Sequence, residues 1–198
     1  MRRCSRGNAT VGPRPRRTGA DVLTICPTAD YELYLGRNLL GADRVLFEPT
    51  RKLLALWRDC GIHGTLFPDV CSAWRHRDAG LDDFAAQFEA QVREAAGAGH
   101  DVQLHLHPEW LRARHADGAW QFEPHTGSLH DLGFDPADPH GAPALIRTRK
   151  EYLEDLLRPE QPTYRCVAFR AGGWVLQPEK PLVAALLAAG IRVDATVI

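Results

Sequence analysis

Short apolar runs alternate with amphipathic stretches along most of this chain. Asp21-Val-Leu-Thr-Ile-Cys26 is a continuous apolar run stopped by Pro27, the pattern of a strand buried on both faces. Residues 36–46 show no period. Glu48-Pro49-Thr50 then opens a helix with proline in its first turn. Leu53, Leu56, Trp57 and Cys60 recur at helical spacing, and Gly61 closes it. A second strand is predicted over His63–Phe67, ending at Pro68. A longer helix covers 81–96, with Leu81, Phe84, Phe88, Val92 and Ala95 on one face and Gly97 and Gly99 beyond it. The third strand spans 101–107. The same logic predicts a helix over 143–157, a strand over 164–169, a loop at 170–174, a helix over 178–189 and a final strand over 191–197. Alternation of strands with helices predicts an α/β fold, with parallel strands and helices packed outside them.

Residues 108–142 break this rhythm. Trp110, Trp120, Phe122, His125, His130 and Phe134 lie there among glycines, prolines and aspartates. A loop of this length with this aromatic content is expected to cover a substrate. Five predicted strands are too few to close a typical (β/α) barrel, and the sequence stops in or just after a strand. The expectation is a partial barrel domain over 21–198, truncated or cut from a longer domain.

Composition narrows the class. A net charge of −1 gives no reason to expect a nucleic-acid partner. No apolar run reaches the roughly 18 residues that a spanning helix needs. Residues 1–20 hold six arginines and no acid, without apolar periodicity, and are expected to be a basic, disordered tail. No apolar segment follows those arginines as in a secretory signal, so the cytoplasm is expected. The five cysteines are scattered and odd in number, and are read as buried thiols of a reducing compartment.

Candidate chemistry collects at the predicted strand ends. His105 and His107 are two residues apart, so a strand places both rings on one face. Paired imidazoles at a strand mouth suit a divalent cation, since each neutral ring offers a lone pair. Asp30 and Glu32 follow the first strand and Arg170 follows a later one; parallel α/β architecture brings such ends to one face. Two histidines with a carboxylate form an open metal site, a second carboxylate can serve as base, and an arginine can orient it. Each also has a plain structural role: Asp30 and Glu32 as turn caps, Arg170 as a salt-bridge partner, His100 at a helix end. Trp110 and Trp174 are candidate substrate-binding faces, and Trp174 is equally a core residue. His/carboxylate donors suit zinc first, with iron, cobalt or nickel as alternatives.

The order of these segments resembles the polysaccharide deacetylases of the NodB-homology type (carbohydrate esterase family 4), from about Asp21 to the C-terminus. Pro49-Thr50 through Cys60-Gly61-Ile62-His63-Gly64-Thr65-Leu66-Phe67 resembles the family's helix and following strand. Gly99-His100-Asp101-Val102-Gln103-Leu104-His105 resembles the segment carrying its first metal histidine. Phe169-Arg170-Ala171-Gly172 resembles its arginine motif. The resemblance implies a distorted, incomplete (β/α) barrel that uses one divalent metal to remove acetyl groups from a sugar or polysaccharide precursor. It implies Asp30 as the base, Arg170 as the residue orienting it, and Glu32 and His105 as metal ligands. Four departures stand out. Glu32 is a glutamate where the family's second acid is an aspartate, though it can still ligate. The family's second histidine lies four residues beyond the first, where this chain has Glu109, so His107 must substitute. Gly172 stands where the family usually has proline. No general-acid histidine segment is visible before Ile198, which leaves an inactive remnant or carbohydrate-binding domain as the alternative.

Overall fold

A computed structural model describes residues 23–35, 40–123 and 128–196. Among these residues the chain forms two parallel three-stranded sheets, a small hairpin and five α-helices. The first sheet contains β1 (Thr28–Tyr31), β2 (Thr65–Pro68) and β3 (Asp101–Val102), in that order. The second contains β4 (Leu104–Leu106), β7 (Ala168–Ala171) and β8 (Val193–Asp194). The described strands form no closed barrel. Among the described residues no helix is long and apolar enough to cross a membrane.

The predicted third strand runs through both sheets. Asp101 and Val102 pair with β2, whereas Leu104–Leu106 pair with β7. Gln103 sits at the switch, buried, and its side-chain carbonyl accepts the main-chain N–H groups of Val167 (2.8 Å) and Ala168 (2.7 Å). That side chain therefore caps the entry to β7 while the main chain changes partners. An isolated parallel bridge between Asp69 and His105 joins the sheets at their C-terminal ends.

Four helices lie close to their predicted positions: α1 (Glu48–Asp59), α3 (Asp82–Gly97), α4 (Ala142–Leu157) and α5 (Glu179–Ala188). A π-helical turn, Asp43–Phe47, leads into α1. The helix α2 (Val70–Asp78) was not predicted. Asp69 starts it, accepting the Cys71 N–H (3.2 Å) with its side chain, and Val70, Cys71, Ala73 and His76 face the core.

Several strand predictions need correction. The first strand is not 21–26 but β1, beyond Pro27; Leu23 and Ile25 are exposed, and residues 21 and 22 lie outside the described region. Pairing begins after Pro27, whose carbonyl accepts the Thr65 N–H. The strand predicted at 164–169 is β7, shifted toward Arg170: the Tyr164 N–H donates to the Gln161 carbonyl, that of Cys166 to the Glu154 carboxylate and that of Val167 to Gln103, so the ladder starts only at Ala168. The last strand shortens to two residues. Cys71 and Cys166 are buried as expected, but Cys26 and Cys60 are exposed. The arginine-rich tail lies outside the described residues.

Within the long loop, β5 (Arg114–Ala116) and β6 (Ala119–Gln121) form an antiparallel hairpin. Asp117 and Gly118 both take left-handed backbone angles at its turn, the requirement of a two-residue hairpin loop. This hairpin lays Trp120 and Phe122 against Trp110.

Candidate metal centre

Strand alternation and parallel register bring the sequence candidates together. Asp30 lies within β1 and Glu32 just past it, two residues on and thus on the same side. His105 stands opposite Arg170 in the β4–β7 register, and His107 follows β4 directly. Their side chains meet at the C-terminal ends of the strands. Glu32 Oε2 lies 2.9 Å from His105 Nε2 and 2.5 Å from His107 Nε2. One donor atom from each of Glu32, His105 and His107 lies within 4.8 Å of the other two, so the group can hold a metal ion. Both rings are nearly inaccessible and Glu32 is one-third exposed, leaving the cluster open on the carboxylate side.

The chemistry of the donors fits a cation. His105 Nδ1 faces the Arg170 carbonyl at 2.8 Å, so that nitrogen must donate. Its Nε2 is thereby turned toward the Glu32 oxygen, and an acceptor directed at a carboxylate needs a positive charge between them. The charge balance agrees. Burial pushes the Glu32 carboxyl up, but the two imidazoles outweigh it and hold that group well below the usual carboxylate range. Burial likewise opposes charge on His107, and the Glu109 and Glu32 carboxylates outweigh it and raise the ring. A site arranged this way attracts a proton or a metal. Glu109 Oε2 stands 3.4 Å from His107 Nδ1, and neither atom completes a hydrogen bond.

Beside this cluster, Arg170 Nη1 donates to Asp30 Oδ1 at 2.5 Å. The same guanidinium donates to Thr28 Oγ1 (2.9 Å) and the Ala195 carbonyl (3.0 Å), and lies over the Phe67 ring at 4.3 Å. Arg170 thus ties β1 to β7 and to the segment after β8, and holds the Asp30 carboxylate in one orientation.

The two tryptophan candidates separate. Trp110 is fully buried in the core, which corrects its reading as a substrate face. Trp174 is half exposed on the turn after β7, with its centroid 6.0 Å from the Arg170 guanidinium. Gly173 and Trp174 both have left-handed angles, uncommon for a bulky residue and recurrent at binding sites. His100 is structural: buried, it accepts the Gly64 N–H through Nδ1 (3.3 Å). His130 and His140 are exposed, and His125 lies outside the described residues. A cleft of about 840 Å³ sits against Leu33, His76, Phe84 and Trp120, and its lining contains none of the three donors.

Asp69 was not anticipated. It is fully buried, its Oδ1 accepts the His107 N–H (3.1 Å) as well as the Cys71 N–H, and its Oδ2 has no partner. Burial pushes its carboxyl up to about 6. The sequence signal was an Asp immediately before an apolar helical run, the mark of a helix N-cap. Gly172, which in sequence is only a departure from the family's proline, packs directly against the His107 ring.

No family model and no curated protein matches the chain. Among solved structures, a Mycobacterium smegmatis protein provisionally named a polysaccharide deacetylase shows a remote likeness, with a TM-score of 0.44 and 20% identity. The match covers 75% of this chain and 38% of that one, so the chain spans well under half of that protein's length.

Proposed function

We propose that this chain is a metal-dependent hydrolase that removes acetyl groups from a sugar or polysaccharide precursor, built on part of a distorted (β/α) barrel. The observation that carries the reading is the convergence of Glu32, His105 and His107 beside the Asp30–Arg170 pair. The quoted resemblance of the strand-end motifs selects the substrate class.

In this reading Glu32, His105 and His107 hold one divalent ion, zinc being the first choice for a two-histidine, one-carboxylate set. When bound, such an ion supplies Lewis acidity toward an acyl carbonyl and lowers the pKa of water at its open position. Asp30 accepts the proton released as water adds to the acetyl carbon. Arg170 keeps that carboxylate aimed, through the 2.5 Å contact, as the base must stay within hydrogen-bond reach. Collapse breaks the C–N or C–O bond, acetate leaves, and the proton held by Asp30 returns to the amine or hydroxyl of the sugar. Trp174, exposed beside Arg170, offers an aromatic face to the sugar ring.

The test is acetate release from N-acetylated and O-acetylated oligosaccharides by zinc- or cobalt-supplemented protein. The expected result is turnover by wild type and loss of at least ~100-fold in Asp30→Asn, with metal content unchanged. Metal-loaded wild type that releases no acetate from either class overturns the proposal.

A further inference from the structure

His107 is the unusual donor of the cluster, because it lies beyond the end of β4 and no strand partner fixes it. Two residues from other elements surround it. Asp69, between β2 and α2, accepts the His107 main-chain N–H with Oδ1. Asp69 is itself immobilised: its own N–H donates to the Tyr31 carbonyl (3.0 Å), and it caps α2. One buried carboxylate thus refers the position of His107 to β1, β2 and α2 together.

Gly172 acts on the ring. A Cβ at this position would stand 2.6 Å from His107 Nδ1 and 2.6 Å from the Leu106 carbonyl oxygen. Its backbone angles lie outside the left-handed region, so space and not conformation calls for glycine here. The main-chain oxygen cannot move aside without distorting β4, and a shift of the ring disturbs its 2.5 Å contact with Glu32.

We propose that Asp69 and Gly172 are paired positioning residues for the metal centre: Asp69 fixes the main chain of His107, and Gly172 clears the volume in which its ring reaches Glu32. This inference rests on the metal reading above and adds to it the device that makes a His-x-His pair usable when the second histidine lies off the strand. Neither residue touches the ion; both act through His107.

Metal affinity, read by competition with a chromophoric chelator, separates this role from general support of the fold. Asp69→Ala and Gly172→Ala are compared with wild type, each alone and each combined with His107→Ala. Loss of a residue that orients a ligand weakens metal binding by about 10- to 100-fold. The expected result is at least ~10-fold weakening by each single change, less than about twofold further weakening in the His107→Ala background, and near wild-type affinity for Asp69→Asn, whose amide oxygen still accepts the N–H. If Asp69→Ala fails to fold by circular dichroism, Gly172→Ala and Asp69→Asn carry the test. Equal losses with and without His107, or no loss, overturn the inference while leaving the metal centre intact. Wild type that binds no metal refutes the centre itself, and this role with it.

Discussion

Replacing Arg170 with methionine tests whether one guanidinium holds the candidate site and the two sheets together. The side chain is about one-tenth exposed and its partner Asp30 about one-fifth, so the pair lies much nearer the buried than the surface limit. Surface pairs contribute at most about 1 kcal/mol, whereas stranding one member of a buried pair costs about 3–5 kcal/mol. Methionine keeps a long apolar side chain but loses the guanidinium over Phe67 and the donors to Asp30, Thr28 and the Ala195 carbonyl. Discounting the lower end of the buried range for residual solvent gives about 2–3 kcal/mol, a fall in Tm of roughly 4–12 °C for a domain of this size. Arg170→Lys is expected to recover no more than about 1 kcal/mol, since an ammonium lacks the planar fork that serves three acceptors at once. Equilibrium urea unfolding of metal-free protein measures these values directly. Arg170→Met within about 0.5 kcal/mol of wild type would refute the reasoning, and so would full recovery by lysine.

His76 is buried between Phe84 and Trp120; its Nδ1 faces the Ser72 carbonyl (2.8 Å) and its Nε2 accepts the Trp120 N–H (2.9 Å). Burial lowers its pKa to about 4, so the fold refuses a proton that the unfolded chain accepts below its ordinary value of 6.5. Its contribution is complete above pH 6.5 and lost as pH falls toward 4, about 3 kcal/mol in all; urea midpoints at pH 7, 5.5 and 4 should fall less steeply in His76→Phe, and parallel slopes would contradict this. Trp174→Ala should leave stability within about 0.5 kcal/mol but raise KM for an acetylated oligosaccharide roughly tenfold with little change in kcat; an unchanged KM would remove Trp174 from the substrate site.

What the sequence reveals depends on how locally each feature is determined. Leu53, Leu56 and Trp57 in α1, after Pro49 and before Gly61, and Phe84, Phe88 and Val92 in α3, after Gly80 and before Gly97, repeat at helical spacing, so both helices are legible from neighbours in sequence. The helix α2 is not, because its apolar face is short and the Pro68-Asp69 step reads as a strand ending; only the capping role of Asp69 marks the start. The run 21–26 is apolar enough for a strand, yet pairing with β2 begins at Thr28. Nothing within the segment encodes that register. The side chains at the strand mouths follow from alternation, which is why Asp30, Glu32, His105, His107 and Arg170 could be named together. Trp110 could not be sorted from Trp174, since its burial is created by Trp120 and Phe122 from a hairpin beyond it in sequence. The parts that Asp69 and Gly172 play at the centre arise from contacts with His107 across the fold, and residue type alone carries no trace of those contacts.

Every catalytic step proposed above depends on a metal ion held by Glu32, His105 and His107. The most direct measurement is metal per chain, by elemental analysis, in protein purified without chelator and then equilibrated with zinc, cobalt, nickel or iron(II). About one ion per wild-type chain is expected, and none retained by the His105→Ala/His107→Ala variant. Wild type that stays empty with every one of these ions, or a variant that binds as well as wild type, would contradict it.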